Sequence, residues 1–316
     1  MIYNFPRKKR IQITNYLTFS SPNPFSISVA TPGWNGKLYY STDTKTWAEW
    51  TGTKVNATEV DGIYALYFSG TGNTKITGGF SNKWTLSGSS ISCTGNIESL
   101  LDYETVAAGQ HPAMANSCYY SMFNGCTNLI TAPSLPATTL AASCYYYMFN
   151  GCTSLTTAPS LPATTMANSC YYSMFNGCTS LTTAPSLPAT TLADFCYNSM
   201  FRGCTSLTTA PSLPATTLAA SCYYSMFNGC TSLTTAPSLP ATTLAPRCYY
   251  YMFNGCTSIK LAISQSREYD KEYRIPKSGN GLTASSALNN MFTRTGGTFT
   301  GTPSINTTYY TSNTIV

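Results

Sequence analysis

The chain has 316 residues, of which only 9% are charged, and its formal net charge is +6. This length allows a substantial buried core, and the scarcity of charge leaves Thr, Ser, Asn and Tyr to form the polar surface. No apolar run approaches the ~18 residues of a membrane-spanning helix, so we expect no membrane insertion. A weakly charged, hydroxyl-rich surface is more typical of an extracellular protein than of a cytosolic enzyme.

Residues 1–12 form a basic segment in which Arg7, Lys8, Lys9 and Arg10 are adjacent. We predict either a solvated tail or an arm that docks on an acidic partner. The stretch MIYNFPRKKRIQITNYLTF lacks the apolar core of a signal peptide. No basic stripe with interleaved aromatic residues follows, so we expect no nucleic-acid binding by the main body.

Residues 13–92 predict an all-β, sandwich-like domain. Turn signals at Asn35-Gly36 and Asp61-Gly62 separate short runs of β-forming residues. The predicted strands lie at residues 16–19, 25–29, 37–40 and 63–68.

An internal repeat of 26 residues dominates the rest of the chain. Two sets of cysteines recur at this period, one beginning at Cys118 and the other at Cys126, and Cys93 is the only cysteine outside them. One unit reads TLAASCYYYMFNGCTSLTTAPSLPAT. Five full units run from about Cys118 to Arg247, and a sixth is cut off after Ile259. Self-similarity at a fixed period predicts units that stack on one another.

Each unit predicts a short helix followed by a short strand. Thr138 or Thr139 is suited to cap a helix over residues 140–150, and Gly151 to end it. Residues 155–158 then predict a strand, which Pro159 and the following loop terminate. In the last unit, Ile259, Leu261 and Ile263 alternate with Lys260 and Ala262, and this period of two residues also predicts a strand.

Comparison of the units separates core from surface. Some positions hardly change between units, and they are spaced as one face of a helix. These are the positions of Leu140, Ala141, Cys144, Tyr145, Met148 and Phe149. The variable positions fill the opposite face, with substitutions that include Asp194, Phe195, Asn198, Arg202, Pro246 and Arg247.

The spacing of strands and helices predicts the shape of the stack. Parallel strands lie ~4.8 Å apart, whereas packed helices need roughly 8–10 Å. We therefore predict an α/β repeat solenoid over residues 93–264, leucine-rich-repeat-like, with a concave sheet and convex helices. Residues 265–316 predict a charged loop and a C-terminal capping repeat, in which Met291 and Phe292 match Met252 and Phe253.

The unit CYYSMFNGCTSLTTAPSLPATTLA resembles the BspA-like leucine-rich repeat, the 26-residue repeat of bacterial surface proteins. Residues 34–43 with Trp47 look like the N-terminal β module of such proteins in gut bacteria and their phages. Residues 95–102 look like the junction into the repeats. The resemblance covers about residues 15–260. It implies a repeat solenoid on a cell or virion surface, used in adhesion, and it supplies no catalytic residues.

Many bacterial members of this family begin with a signal peptide, and this chain departs from that pattern. We therefore expect a non-enzymatic phage virion protein, a fibre, decoration or tail-tip component, made in the host cytoplasm and exposed after lysis. The alternative is a bacterial cell-surface adhesin. The expected partners are other virion proteins, contacted through the basic arm and the β domain, a host-surface glycan or protein, and further copies of the chain.

Catalytic and metal sites find little support. Cysteines spaced by eight and eighteen residues, with one histidine in the chain, do not match a zinc site, and we expect no cofactor. Reduced thiols buried as small apolar groups are the favoured interpretation, and disulfides are the alternative. His111 has Asp102 and Glu104 nearby, but no nucleophile motif accompanies them. A cluster at Glu268, Asp270 and Glu272 is a weak candidate for calcium.

The candidate binding surface consists of aromatic rows and the substitutions of unit four. Aromatic faces stack on sugar rings and anchor protein interfaces, but such rows also pack on each other, and both interpretations stay open. The candidate residues are Tyr120, Tyr146, Tyr172, Phe195, Asn198, Arg202, Tyr224, Arg247 and Tyr250. A third, minor hypothesis is a water-ordering row at Thr156, Thr182, Thr208 and Thr234, flanked by Ile130 and Lys260.

Overall fold

The computed structural model describes residues 15–275 and 284–316. The predicted basic arm at 1–12 and part of the charged loop lie outside the described residues. The described α-helix is α1 (Tyr103–Ala107), and 3-10 helices lie at Phe80–Asn82 and Ile97–Leu100. The strands are β1 (Leu17–Ser21), β2 (Ser26–Val29), β3 (Lys37–Ser41), β4 (Ala48–Glu49), β5 (Val55–Asn56), β6 (Thr58–Val60), β7 (Ile63–Thr71), β8 (Trp84–Ser87), β9 (Ile91–Thr94), β10 (Leu129–Thr131), β11 (Thr235–Ala236), β12 (Lys260–Ala262), β13 (Lys271–Arg274), β14 (Gly296–Gly297), β15 (Thr308–Thr311) and β16 (Thr314–Ile315).

The N-terminal module contains two sheets. One has the order β10-β9-β1-β7-β3-β4, with β6 paired to β7, and the other has the order β5-β2-β8. Each of the four β-forming runs in the sequence contains a strand. Phe19, Trp50, Phe68 and Trp84 pack together between these strands, with ring centroids 4.9–6.0 Å apart.

The module is continuous with the first repeat. Strand β9 pairs in parallel with β10 of unit one, and the amide of Trp84 donates to the carbonyl of Met122 over 2.8 Å. The amide of Ile76 donates to the carbonyl of Cys118 over 2.9 Å. The module therefore occupies the place of a preceding unit and covers the first layer of the stack.

The repeats form a stack of turns, and the predicted helix in each unit is wrong. Within residues 143–151, alternate amides donate to the carbonyl three residues earlier in the same unit, as Met148 does to Tyr145 over 3.2 Å. The other amides donate to the next unit, as Tyr145 does to Cys170 over 2.9 Å. Hydrogen bonds of an α-helix would instead stay within the segment.

A left-handed residue at every fourth position explains this geometry. In the second unit Ser143, Tyr147 and Gly151 have φ values of 54°, 54° and 71°. The chain thus turns with a period of four residues rather than 3.6. Because inward residues then recur in pairs at i and i+4, the pattern is the same as that of a helical face. Burial agrees with the core assigned from the repeats, since Cys144, Met148 and Phe149 are fully buried.

The leucine-rich-repeat-like α/β solenoid is therefore not the observed fold. Of the described residues, 23% lie in strands and 4% in helices. Rings of Tyr145 and Tyr171 in successive units lie 5.6 Å apart, a spacing too small for helices, which need roughly 8–10 Å. The predicted convex and concave sides depended on helices that are spaced more widely than strands, and the described units contain no such helices.

The strand predicted at residues 155–158 is wrong, because this segment forms only isolated bridges at Thr157. Units two to four make single parallel bridges, such as Thr157 to Thr183, whereas β10, β11 and β12 lie at the ends of the stack. The alternation predicted for the last unit is wrong at its end, because Ile263 is 65% exposed while Ala262 is buried.

Residues 286–294 form a last layer over the sixth unit. Phe292 stacks on Phe253 with centroids 5.4 Å apart, and Ser286, Asn290 and Arg294 repeat the left-handed positions. Residues 271–274, assigned to a loop from sequence, form β13 in a sheet of order β13-β15-β12-β14. The C-terminal β16 returns to pair with β11.

Candidate binding surface

The predicted tyrosines lie in two separate stacks on one side of the repeats. In the first, Tyr120, Tyr146 and Tyr172 are parallel, with ring centroids 4.6 and 4.5 Å apart. In the second, Tyr224 and Tyr250 are parallel at 5.1 Å. All five side chains are half-buried. Each ring in a stack covers one face of the next ring. Only the rings at the two ends of a stack therefore have a face that no other ring of the stack covers.

Three further aromatic residues belong to these stacks. Phe80, 53% exposed on the 3-10 helix of the β module, meets Tyr120 edge-on at 5.3 Å. Tyr147 and Tyr251 stand edge-on against Tyr146 and Tyr250 at 4.7 and 4.5 Å. Sequence reasoning missed Phe80 because it lies outside the repeats. Tyr147 and Tyr251 differ from the serine of other units, a signal that was present in the sequence.

Unit four separates the two stacks. Asn198 stands where the neighbouring units have tyrosine, and it is 4% exposed, which corrects the prediction that it is a surface residue. The amide is shorter than a tyrosine, and its Oδ1 accepts from the hydroxyl of Ser199 over 2.9 Å. Arg202 and Phe195 are exposed in the same unit. Arg247 is also exposed, but it occupies the position of Phe195 two units later, so the structure does not bring it to the unit-four patch.

Burial dominates the electrostatics of the first stack. Burial raises the pKa of Tyr146, and the neighbouring Tyr147, Tyr172 and Tyr120 raise it further. Burial likewise raises the pKa of Tyr120. These hydroxyls are therefore neutral donors and acceptors at physiological pH, and the stack presents polar but uncharged contacts.

The single histidine pairs with a carboxylate that sequence reasoning did not select. Nδ1 of His111 lies 2.7 Å from Oε2 of Glu98, whose side chain is 1% exposed. Burial raises the pKa of Glu98, and the hydrogen bond and charge of His111 lower it. Asp102 instead caps α1 by accepting from the amide of Thr105. Glu98 and His111 line a cleft of about 430 Å³ together with Met114 and residues 137–141.

All thirteen cysteines are free and buried. Burial raises their thiol pKa values, to about 12 for both Cys170 and Cys178 in the third unit. Such thiols stay protonated and are poor nucleophiles and poor metal ligands. Ranges 15–275 and 284–316 hold no group of three or more His, Cys, Asp or Glu side chains suited to a metal ion, and this includes Glu268, Asp270 and Glu272.

The threonine row is exposed and its units are linked directly. The amide of Thr208 donates to the carbonyl of Thr182 over 3.4 Å, and that of Thr234 donates to Thr208 over 3.0 Å. Among the described helices, none is long and apolar enough to cross a bilayer.

Comparisons with protein-family models, with curated proteins and with solved structures find no match to this chain.

Proposed function

We propose that the chain is a non-enzymatic structural or adhesion protein of a phage virion, and that its tyrosine stacks contact a glycan or protein on the host surface. The observation that carries the proposal is the parallel stack of Tyr120, Tyr146 and Tyr172 at 4.5–4.6 Å. Rings held in place by their neighbours lose little conformational entropy when they bind. The resemblance of the repeat to surface-protein repeats supports the virion setting.

The architecture also suggests how the protein is attached. Val60 and Ile63, at the end of the β6–β7 hairpin, are 57% and 47% exposed. They pair across the hairpin and form a small apolar tip on the module. Exposed apolar groups of this kind mark protein contacts, so this tip and the basic arm at 1–12 are the proposed sites of attachment to other virion proteins or to further copies.

Mass spectrometry of purified virions tests the setting. The proposal expects the chain in particles at a constant ratio to the major structural proteins. If instead fractionation finds the chain on bacterial cells that carry no phage, the protein is a cell-surface adhesin and the virion setting is wrong.

A glycan array and a host-cell binding assay test the surface. Tyr146→Ala opens the middle of the first stack and is expected to reduce binding on the order of tenfold, which corresponds to about 1.4 kcal/mol. Tyr67→Ala, at a half-buried tyrosine of β7 away from the stacks, is the matched control and should bind as the unmodified chain does. Equal binding by all three proteins would contradict a recognition role for the stack.

A further inference from the structure

The two tyrosine stacks face each other across unit four. One face of Tyr172 is covered by Tyr146, and one face of Tyr224 is covered by Tyr250. Their other faces are directed toward Asn198, the residue that replaces the tyrosine between them. The backbone hydrogen bonds continue through this unit. The amide of Ser173 donates to the backbone carbonyl of Asn198, and the amide of Ser199 donates to that of Tyr224, both over 2.8 Å. The gap is therefore one missing side chain in an unbroken stack.

The width of this gap suits a single ring. Rings one unit apart lie 4.5–5.1 Å apart in the two stacks, so Tyr172 and Tyr224, two units apart, are separated by about 10 Å. A ring placed midway would lie about 5 Å from each wall, within the roughly 4.5–7 Å range of stacked rings. We call this gap the unit-four slot and define it by Tyr172, Asn198, Arg202 and Tyr224.

The floor of the slot carries an unused hydrogen-bond donor. Asn198 is 4% exposed, and its Oδ1 accepts from the hydroxyl of Ser199 over 2.9 Å. Its Nδ2 makes no hydrogen bond to the described residues. This nitrogen is not among the buried polar atoms of the described residues that lack a partner, so solvent reaches it, and an oxygen of a bound molecule would accept from it in place of water.

The rim of the slot carries a positive charge. Arg202 replaces the asparagine found at this position in the neighbouring units, and it forms no ion pair within the described ranges. Burial raises the pKa of Tyr172. The neighbouring Tyr147 and Tyr224 raise this pKa further, and the charge of Arg202 lowers it. The guanidinium of Arg202 therefore lies near the hydroxyl of Tyr172, which forms one wall of the slot.

We propose that the unit-four slot binds one pyranose ring of an acidic saccharide, with the ring between Tyr172 and Tyr224 and its carboxylate toward Arg202. This inference rests on the proposed function, because it names the ligand class of the same surface. The C–H faces of a sugar stack on aromatic walls, and a sugar oxygen accepts from Asn198. A guanidinium binds a carboxylate in a bidentate manner, which favours an acidic over a neutral sugar.

Two substitutions test the slot, and each introduces the residue that the neighbouring units have at the same position. Asn198→Tyr inserts the missing ring and closes the slot, and Arg202→Asn removes the charge while the slot stays open. Saturation-transfer NMR with glucuronic acid, and with glucose as its neutral match, reports binding of each sugar. Tyr67→Ala, at the half-buried tyrosine of β7 away from the stacks, is the control outside the slot.

The unmodified chain and Tyr67→Ala are expected to transfer saturation to the ring protons of glucuronic acid more strongly than to those of glucose. Asn198→Tyr should lose this signal on the order of tenfold. Arg202→Asn should bind the two sugars equally. The proposal is overturned if Asn198→Tyr binds as the unmodified chain does, or if glucuronic acid gains no signal over glucose. Host binding that depends on Tyr146 but not on Asn198 would leave the proposed function standing without the slot.

Discussion

The thiol of Cys178 donates a hydrogen bond to the backbone carbonyl of Phe149, 3.1 Å away in the preceding unit. The same bond recurs between Cys204 and Phe175 at 3.1 Å and between Cys230 and Phe201 at 3.0 Å. Burial raises the pKa of Cys178 to about 12, so the thiol keeps its proton and remains a donor. This column of cysteines therefore fills the core and links successive units at once.

Cys178→Ala should destabilise the protein more than Cys144→Ala. Both thiols are fully buried, but the bond from Cys144 to the carbonyl of Cys170 is long, at 3.9 Å. Each substitution removes one sulfur, and only the first removes a short hydrogen bond. We expect an additional loss of about 1 kcal/mol in the free energy of unfolding, measured by urea denaturation. Equal losses would show that the thiol acts by volume alone.

Phe195→Gly should stabilise the protein. Phe195 has a φ of 57° and is 41% exposed, so its ring contributes little burial while its backbone is strained. A non-glycine residue in the left-handed region costs about 1–2 kcal/mol, part of which glycine recovers despite its greater entropy when unfolded. The midpoint of urea unfolding should rise for Phe195→Gly and fall for the β-branched Phe195→Val. A fall for both variants would contradict this account of the turn.

Glu98 should make stability fall as the pH rises. Burial raises the pKa of this carboxyl above its ordinary value, so the folded state holds the proton more tightly than the unfolded state. The stabilisation is complete below the ordinary value and is lost as the pH rises through the raised pKa. Glu98→Gln should remove this slope, as measured by urea unfolding at intervals between pH 4 and pH 8. A slope that is unchanged in the variant would locate the effect elsewhere.

Asp102 supplies the control of opposite sign. The amides of Thr105 and Gly72 hold the pKa of Asp102 below its ordinary value. Its stabilisation is present above the ordinary value and is lost as the pH falls through the lowered pKa. Asp102→Asn should therefore reduce the loss of stability as the pH falls, and it should leave unchanged the pH dependence of stability assigned to Glu98.

Deletion of one whole unit should preserve the stack. Removal of residues 146–171 joins Tyr145 to Tyr172 and restores an unbroken 26-residue period. Because each unit contacts its neighbours, the shortened chain should still unfold cooperatively, with a midpoint temperature lower by a few degrees. Deletion of residues 146–158 breaks the period and should abolish cooperative unfolding in calorimetry. Equal behaviour of the two deletions would contradict a stack of equivalent layers.

The sequence predicted some features of the surface residues, and others required the structure. The rows of tyrosine followed from the period, but their mutual stacking and the gap at Asn198 required coordinates. Asp102 and Glu104 are closer to His111 along the chain than Glu98 is. The junction before the first unit instead brings it to Glu98 and leaves Asp102 to cap α1. Separation along a chain does not report which side chains a turn brings together.

The sequence by itself determined the 26-residue layer and the identity of the inward residues, because both are written in which positions repeat without change. Cys144, Met148 and Phe149 are accordingly buried. Only the tertiary structure decided the backbone path between them. Pairs of inward residues at i and i+4 suit both a helix and a series of four-residue turns. The choice depends on whether alternate amides bond within the segment or to the next unit, and those partners lie 25 residues further along the chain.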